Sequence, residues 1–264
     1  MTKTDSLEQP VKTVRPQGGA QSVRRTLSIL RSISTYNDDG ARLSKIARHV
    51  DLPPPTVHRI LSVLIEEDFV SFDPVSKLYH MGAELYAMGE DSRLCSIRDR
   101  YQTAVRRITE QTGDATYLVI RSGYDGVCID RVLGSARVQV LGYNIGERHP
   151  LGMGAAGQAL LAFLPEHECA AILEANSPRY LKYYNIHVDE VRTWIQQGQD
   201  RKHTYSSCKI TQDAVGVGAP IFNKAGCVVA AISTAGICAR MTPDRCRKNS
   251  EIIIAEIAAI EPPD

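Results

Sequence analysis

The chain has 264 residues, 43% of them hydrophobic and 23% charged, with a formal net charge of +1. That length allows two domains and a sizeable core, and that charge excludes binding of nucleic acid by bulk charge alone, so any affinity for DNA must come from where Arg and Lys are placed. No run reaches the roughly 18 apolar residues a bilayer-spanning helix needs, and the amino terminus has no apolar stretch of the signal-peptide kind, so a cytoplasmic location and no membrane partner are expected.

Residues 1–20 are polar, with Pro10, Pro16, Gly18 and Gly19 and no periodicity, and read as a disordered arm carrying Lys3, Lys12 and Arg15. A helix is predicted from Gln21-Ser22, with Ser22 as N-cap and a stripe of Val23, Leu27, Leu30 and Ile33; Asn37-Asp38-Asp39-Gly40 ends it. Next come two short amphipathic segments joined by Asp51-Leu52-Pro53. Leu43, Ile46, Ala47 and Val50 form one stripe; Val57, Ile60, Leu61, Leu64 and Ile65 form the other. So short a turn forces the stripes into one core and leaves Thr56, His58, Arg59 and Ser62 outward. That is the layout of a helix-turn-helix, over residues 43–62, whose second helix enters the DNA major groove. Arg59, His58 and Thr56 are the candidates for base edges or phosphates; Ser44 and Lys77 would position the backbone. Pro53, Pro54 and Pro55 suit a turn and a first helical turn, where no amide donor is needed.

After Asp68 the period changes to two. Phe69 to Phe72, a turn at Asp73-Pro74-Val75-Ser76, and Lys77 to Met81 read as a β-hairpin, which completes a winged helix over residues 21–82. Residues 83–112 read as a connecting helix. Its Leu94, Ile97, Tyr101, Val105 and Ile108 make nearly a heptad seam, for a partner chain or for packing within the monomer. The rest, residues 113–264, alternates. Strands are predicted at 115–120, 127–132 and 136–141, helices near 155–163, 166–175 and 189–199, strands at 203–207, 214–222 and 227–234, and a closing helix over 244–260. Asn223-Lys224-Ala225-Gly226 is a good hairpin turn. The class is α+β, with a mostly antiparallel sheet.

Chemistry-bearing motifs are few. Gly152-Met153-Gly154-Ala155-Ala156-Gly157 matches GxGxxG, but the helix after it leads to a second helix and not to a strand, so close approach of a ligand or helix and free amides at a helix N-terminus are the better reading. No GxSxG, HExxH or P-loop occurs, and His149, His167, His187 and His203 are isolated in sequence. Seven cysteines, an odd number without close pairs, argue against a disulfide framework. Cys208, Cys227, Cys238 and Cys246 could surround a metal, yet without CxxC or HxxxH spacing buried free thiols are expected, with no metal and no cofactor. Ser206, Ser207, Ser233 and Thr234 lie in strands rich in Ala, Val and Gly; they are either a lining for a small polar metabolite or ordinary strand hydroxyls.

Taken in order, several segments make the chain similar to the IclR family of bacterial transcription regulators: residues 55–61 (PTVHRIL), 77–82 (KLYHMG), 156–162 (AGQALLA), 218–222 (GAPIF) and 230–233 (AAIS). The resemblance implies an N-terminal winged helix-turn-helix, a linker helix and a C-terminal GAF-like effector domain. It also implies dimers or tetramers on palindromic double-stranded operators, with operator affinity set by a small organic acid, in control of a catabolic operon. By the family pattern the effector pocket would be lined by Val138, Leu141, Ala155, Ala156, Ser206, Ala214, Gly216, Ser233 and Ala235. The chain departs from the pattern at Pro54-Pro55, where a basic residue and a serine are common, at Gln158, where a lysine is common, and at Asp213, where a glycine is common. Small residues at Ala214, Gly216 and Ala235 suggest a ligand larger or flatter than a two- or three-carbon acid. The competing reading is an enzyme acting on a small molecule, with the helix-turn-helix used only for assembly; it lacks a nucleophile beside a base at recognisable spacing.

Overall fold

A computed structural model describes residues 20–36, 39–90 and 93–263. The arm expected at residues 1–20 lies outside them, apart from Ala20. The chain divides into two compact units, residues 1–92 and 93–264.

The first unit contains α1 (Gln21–Thr35), α2 (Leu43–Val50), α3 (Pro54–Glu66), β1 (Val70–Asp73), β2 (Leu78–Met81) and α4 (Ala83–Glu90). Ile29, Ile33, Ile46, Ala47, Val57, Leu61, Leu64, Val70 and Tyr79 form its core. The stripes of α2 and α3 therefore close on each other as their spacing requires. The stripe of α1 is shifted: Ile29 and Ile33 are buried, whereas Val23 and Leu27 are 56% and 44% exposed, because only the second half of the helix meets the others. Ser22 lies inside α1, and the cap position is Ala20 with no side-chain cap bond. The turn after α2 is made by Asp51 in the left-handed region (φ 54°), and the amide of Leu52 donates back to the Ala47 carbonyl at 3.1 Å. Pro54 and Pro55 are the first two residues of α3. β1 and β2 pair antiparallel from Val70↔Met81 to Asp73↔Leu78. The Asp73 carboxylate accepts from the Val75 amide (2.9 Å), the Ser76 amide (3.3 Å) and the Ser76 hydroxyl, which fixes the wing turn. Ala41 adds a third short bridge through Tyr79.

The second unit contains α5 (Arg93–Thr112), β3 (Ala115–Ser122), β4 (Asp125–Val132), β5 (Arg148–Pro150), α6 (Gly154–Ala162), α7 (Glu166–Tyr184), α8 (Val188–Arg201), β6 (Thr204–Ser206), β7 (Ala214–Phe222), β8 (Val228–Ile237) and α9 (Pro243–Ala258). The strands form one sheet in the order β5-β4-β3-β8-β7-β6, each neighbouring pair antiparallel. The period-two alternation divides its side chains between two cores. Leu118, Ile120, Val217, Ala219, Ile221 and Ile232 pack with Tyr101, Val105 and Ile108 of α5 and Ile253 of α9. Ala115, Tyr117, Val119 and Ala231 pack with α6, α7 and α8. The near-heptad seam of α5 is thus committed to its own unit's sheet at Tyr101, Val105 and Ile108. The stretch 83–112 holds two helices, with residues 91 and 92 between them outside the described residues.

Three expectations are corrected. Residues 136–141 form no strand; the edge of the sheet is β5, and the Val140 carbonyl accepts from the Tyr117 hydroxyl instead of a strand partner. The helix expected to stop at residue 175 continues to Tyr184 through Pro178. Its middle is held from outside, by Asn176 Nδ2 donating to the Tyr124 carbonyl (2.8 Å) and Arg179 donating to Asp125 (2.6 Å), so tertiary contacts outweigh the lost backbone bond. Cys208 and Cys238, expected as free thiols, are joined in a disulfide 30 residues apart in sequence. Among the described residues no cluster of His, Cys, Asp or Glu is arranged to hold a metal.

Candidate DNA interface and ligand pocket

In the first unit, Val57, Leu61 and Leu64 bury one face of α3, which leaves His58 and Arg59 exposed and Thr56 and Ser62 half-buried. Ser62 Oγ donates to the His58 carbonyl at 3.0 Å, so its proton serves the helix. Ser44 at the start of α2 is exposed, as is Lys77, which holds the left-handed position of the wing turn (φ 60°) with its ammonium 5.9 Å from the Phe72 ring centre. Exposed Arg42, Lys45 and Arg48 add positive charge around α2, a contribution the sequence reading left out. A polar and cationic edge of this kind can meet phosphates and base edges.

In the second unit, the sheet builds the floor of a cavity of about 60 Å³. Strand register aligns Ser206, Gly216 and Ala235 across β6, β7 and β8, and Gly218, Ser233 and Tyr117 across β7, β8 and β3. The small side chains leave room; the hydroxyls give it polarity. Ser206 and Ser233 are 9% and 4% exposed, and neither hydroxyl has a hydrogen-bond partner among the described residues. Opposite them α6 opens at Gly154 and Ala155, both lining the cavity, with Met153 as a cap position that makes no side-chain cap bond. First-turn amides have no intrahelical acceptor. Gly154 and Ala155 line the same cavity as the two serines, a combination suited to a carboxylate.

The wall is aromatic. Tyr143 meets Tyr117 edge-on at 5.6 Å and His149 at 4.4 Å. His149 sits between two partners, Tyr184 Oη at 3.0 Å from Nδ1 and Glu147 Oε1 at 3.0 Å from Nε2. Isolated from other histidines in sequence, it is not isolated in the fold. Burial raises the Glu147 carboxyl, but His149 and the Asn144 amide outweigh that and hold it below its ordinary value. Burial pushes the Tyr117 and Tyr143 phenols up, so they stay protonated, and pushes the nearby Cys128 thiol up to about 12. Among the described residues the cavity lining carries no Lys, Arg, Asp or Glu. Within this unit the hydroxyl that His149 meets is a phenol; no Ser, Thr or Cys pairs with it among the described residues.

Of the residues expected at the pocket, Ala155, Ser206, Ala214, Gly216, Ser233 and Ala235 line it. Three do not. Val138 and Leu141 are 54% and 64% exposed, because their stretch lies outside the sheet and it is Val140 and Gly142 that turn inward. Ala156 is fully buried in the core beneath α6. Tyr117, Tyr143, His149, Tyr184, Ile210 and Thr211 were not anticipated. The spacing of Glu147 and His149 was the available signal, since residues two apart on a strand share a face. Gly152 of the GxGxxG match serves packing: a Cβ there would come within 2.8 Å of Val191 and 3.0 Å of the Tyr180 hydroxyl. β5 before the loop is a short antiparallel edge strand, and a helix follows α6.

Beside the pocket, Asp114 is fully buried and paired with Arg240, with Arg245 (3.2 Å) and with Asn249 Nδ2 (3.4 Å), which also reaches Thr234 Oγ1 (3.4 Å). Gln158, fully buried in α6, has a partner for neither amide atom.

Residues 93–260 match the family model described as bacterial transcriptional regulator IclR C-terminal, and residues 22–74 match the IclR helix-turn-helix domain. The HTH-type transcriptional regulator KipR of Bacillus subtilis is 30% identical over 210 residues, 77% of this chain and 81% of its own. The HTH-type transcriptional repressor AllR of Escherichia coli is 27% identical over 241 residues, 90% and 88% of the two chains. Two solved structures share the fold: an IclR transcriptional regulator from Alicyclobacillus acidocaldarius (TM-score 0.75, 21% identity, covering 92% of this chain and 98% of that one) and an IclR homolog from Microbacterium hydrocarbonoxydans complexed with 4-hydroxybenzoate (TM-score 0.72, 18% identity, 90% and 99%). The curated relatives are named as regulators and repressors of transcription, and no described helix is long and apolar enough to cross a membrane. With a DNA-binding helix-turn-helix unit followed in sequence by an effector-binding unit, the chain belongs to the IclR family of bacterial transcriptional regulators.

Proposed function

We propose that the second unit binds a small organic acid, and that its occupancy sets the affinity of a homodimer for operator DNA in the cytoplasm, in control of a catabolic operon. The observation that carries the ligand class is that Ser206 and Ser233, whose hydroxyls have no partner among the described residues, line one cavity with the start of α6, which has no side-chain cap bond. A carboxylate satisfies both sides at once, by accepting from amides and from hydroxyls. Tyr184, oriented by His149, is placed to meet a second polar group of the ligand. The 4-hydroxybenzoate in the Microbacterium homologue is an acid of this class. The present cavity of about 60 Å³ is smaller than the roughly 150 Å³ that takes a benzene ring, so a ring requires the wall to move. On the DNA side, Arg59, His58 and Thr56 read base edges or phosphates, and Ser44, Ser62 and Lys77 fix the backbone. The effector acts by binding one state of the dimer better than another.

Purified protein screened by thermal shift against acetate, pyruvate, succinate and 4-hydroxybenzoate should melt higher with at least one acid. The same acid should change retardation of the DNA upstream of the protein's own gene. An acid that raises the melting point and leaves operator affinity unchanged would refute the linkage.

A further inference from the structure

We propose that Cys208 and Cys238 are a reversible thiol–disulfide modification site, which straps residues 207–213 across the ligand pocket when oxidised and frees them when reduced. The disulfide joins the β6–β7 loop to the residue just after β8. The loop brings Ile210 and Thr211 to the cavity, and β8 brings Ser233, Thr234 and Ala235. One covalent bond therefore ties a wall of the pocket to its floor.

Little else holds that wall. Six of the seven residues 207–213 are exposed, and Ile210 is half-buried. The Ile210 amide donates to Ser207 (3.0 Å) and the Ala214 amide to Thr211 (3.1 Å), which shapes the loop without anchoring it. Among the described residues three non-covalent ties to the rest of the fold remain: the half-buried Ile210 side chain packed against the core, the Cys238 amide donating to the Asp213 carbonyl (2.9 Å) at one end, and the ion pair of Lys209 with Glu190 (2.6 Å). Exposed ion pairs contribute little. The disulfide is the one covalent tie, so its loss leaves the loop on these weaker contacts and lowers the cost of opening it.

The bond is placed for exchange. Cys208 is exposed and Cys238 half-buried, whereas a structural disulfide is not expected in a protein that works on DNA in a reducing cytoplasm. With a low-molecular-weight disulfide such as oxidised glutathione as oxidant, the exposed Cys208 thiolate attacks one of its sulfurs and expels one thiolate. The Cys238 thiolate then attacks Cys208 Sγ in the mixed disulfide and expels the second. The two protein thiols lose two electrons and two protons, and the oxidant becomes two thiols. Excess thiol reverses both steps. The effect on ligand entry rests on the effector reading of the pocket; the thiol chemistry does not.

The full-length protein is equilibrated with oxidised or reduced glutathione, without denaturant. Differential alkylation with peptide mapping reports the Cys208–Cys238 link, and hydrogen exchange reports the amides of residues 207–214. The link should form and be lost reversibly, and reduction should speed exchange in the loop about ten-fold or more while β7 and β8 keep their protection. The double variant C208S/C238S should exchange like the reduced protein in either buffer. Free thiols in oxidised glutathione, a link that resists reduction in the native protein, or equal loop exchange in both states would each overturn the proposal. A protein that behaves as expected here but binds no acid keeps the redox site and loses the effector reading.

Discussion

Gly216 and Gly218 lie two residues apart on the same face of β7, yet a methyl group should do different things at each. A Cβ at Gly218 would stand 2.8 Å from the Ala155 carbonyl carbon, 2.9 Å from its oxygen and 3.1 Å from the Ala156 nitrogen, all backbone of α6. Reaching the ~3.5 Å of ordinary carbon contact requires the first turn of α6 to withdraw by roughly 0.7 Å. That turn is also held by Thr204 Oγ1 donating to the Ala155 carbonyl at 2.7 Å. Overpacking against backbone costs about 1–3 kcal/mol, and at roughly 2–4 °C per kcal/mol for a unit of this size G218A should melt roughly 2–12 °C lower. A Cβ at Gly216 would meet Ser206 Oγ at 2.6 Å and Ala155 Cβ at 3.3 Å. A serine hydroxyl can rotate away, so G216A should lose less than about 1 kcal/mol. It nevertheless fills the cavity floor and turns Ser206 aside, and should abolish the rise in melting point given by the acid ligand. Trp194, the only tryptophan, packs against the core of this unit and reports its unfolding by fluorescence. Wild-type melting of G218A, or a full ligand shift in G216A, would refute the account of these two glycines.

Further outcomes are expected elsewhere. R59A should weaken operator binding in a gel-shift titration by about 1–3 kcal/mol if the guanidinium makes a bidentate guanine contact; unchanged affinity would remove Arg59 from readout. D114A leaves Arg240 and Arg245 facing an empty, buried site and should cost about 3–5 kcal/mol, toward the lower end because the arginines are 25% and 34% exposed, as read from urea unfolding followed at Trp194. Q158L removes two buried polar atoms that have no partner and should stabilise by about 1–3 kcal/mol; destabilisation in the same titration would mean those atoms are satisfied. The Glu147 carboxyl is held below its ordinary 4.5 in the folded protein. Its contribution is therefore complete above that value and is lost as pH falls through the lower folded value. Melting curves from pH 6 to 3 should show a shallower acid decline for E147Q than for wild type, and parallel declines would contradict this.

The first unit was legible because its information is local. A 3.6-residue stripe, Pro54-Pro55 at a helix start and the Asp73 turn each act within a few residues. The stripe of α1 misled at Val23 and Leu27 because periodicity does not say how far along a helix its neighbours reach. In the second unit β7, β8 and their Asn223–Gly226 turn were readable, and so was the small-residue floor at Ser206, Gly216, Ser233 and Ala235. The walls were not. Val138 and Val140 alternate like a strand, but no strand edge lies beside them, and the Tyr117 hydroxyl that holds Val140 is distant in sequence. Pro178 would stop an isolated helix; in α7 the contacts of Asn176 and Arg179 with the Tyr124–Asp125 turn carry it through. The Cys208–Cys238 bond depends on sheet register over 30 residues, which composition cannot reveal.

The two prolines that open α3 carry no amide hydrogen, and the first two amides after them, Thr56 and Val57, both donate to the Pro53 carbonyl, at 2.9 and 3.1 Å. On the DNA-binding role proposed for α3, the helix would meet the duplex with no main-chain donor free in its first turn. A phosphate at that tip would have to be held by a side chain. Counterion release on binding then counts arginines and lysines alone, and each one removed should lower the slope of log affinity against log salt by about 0.9.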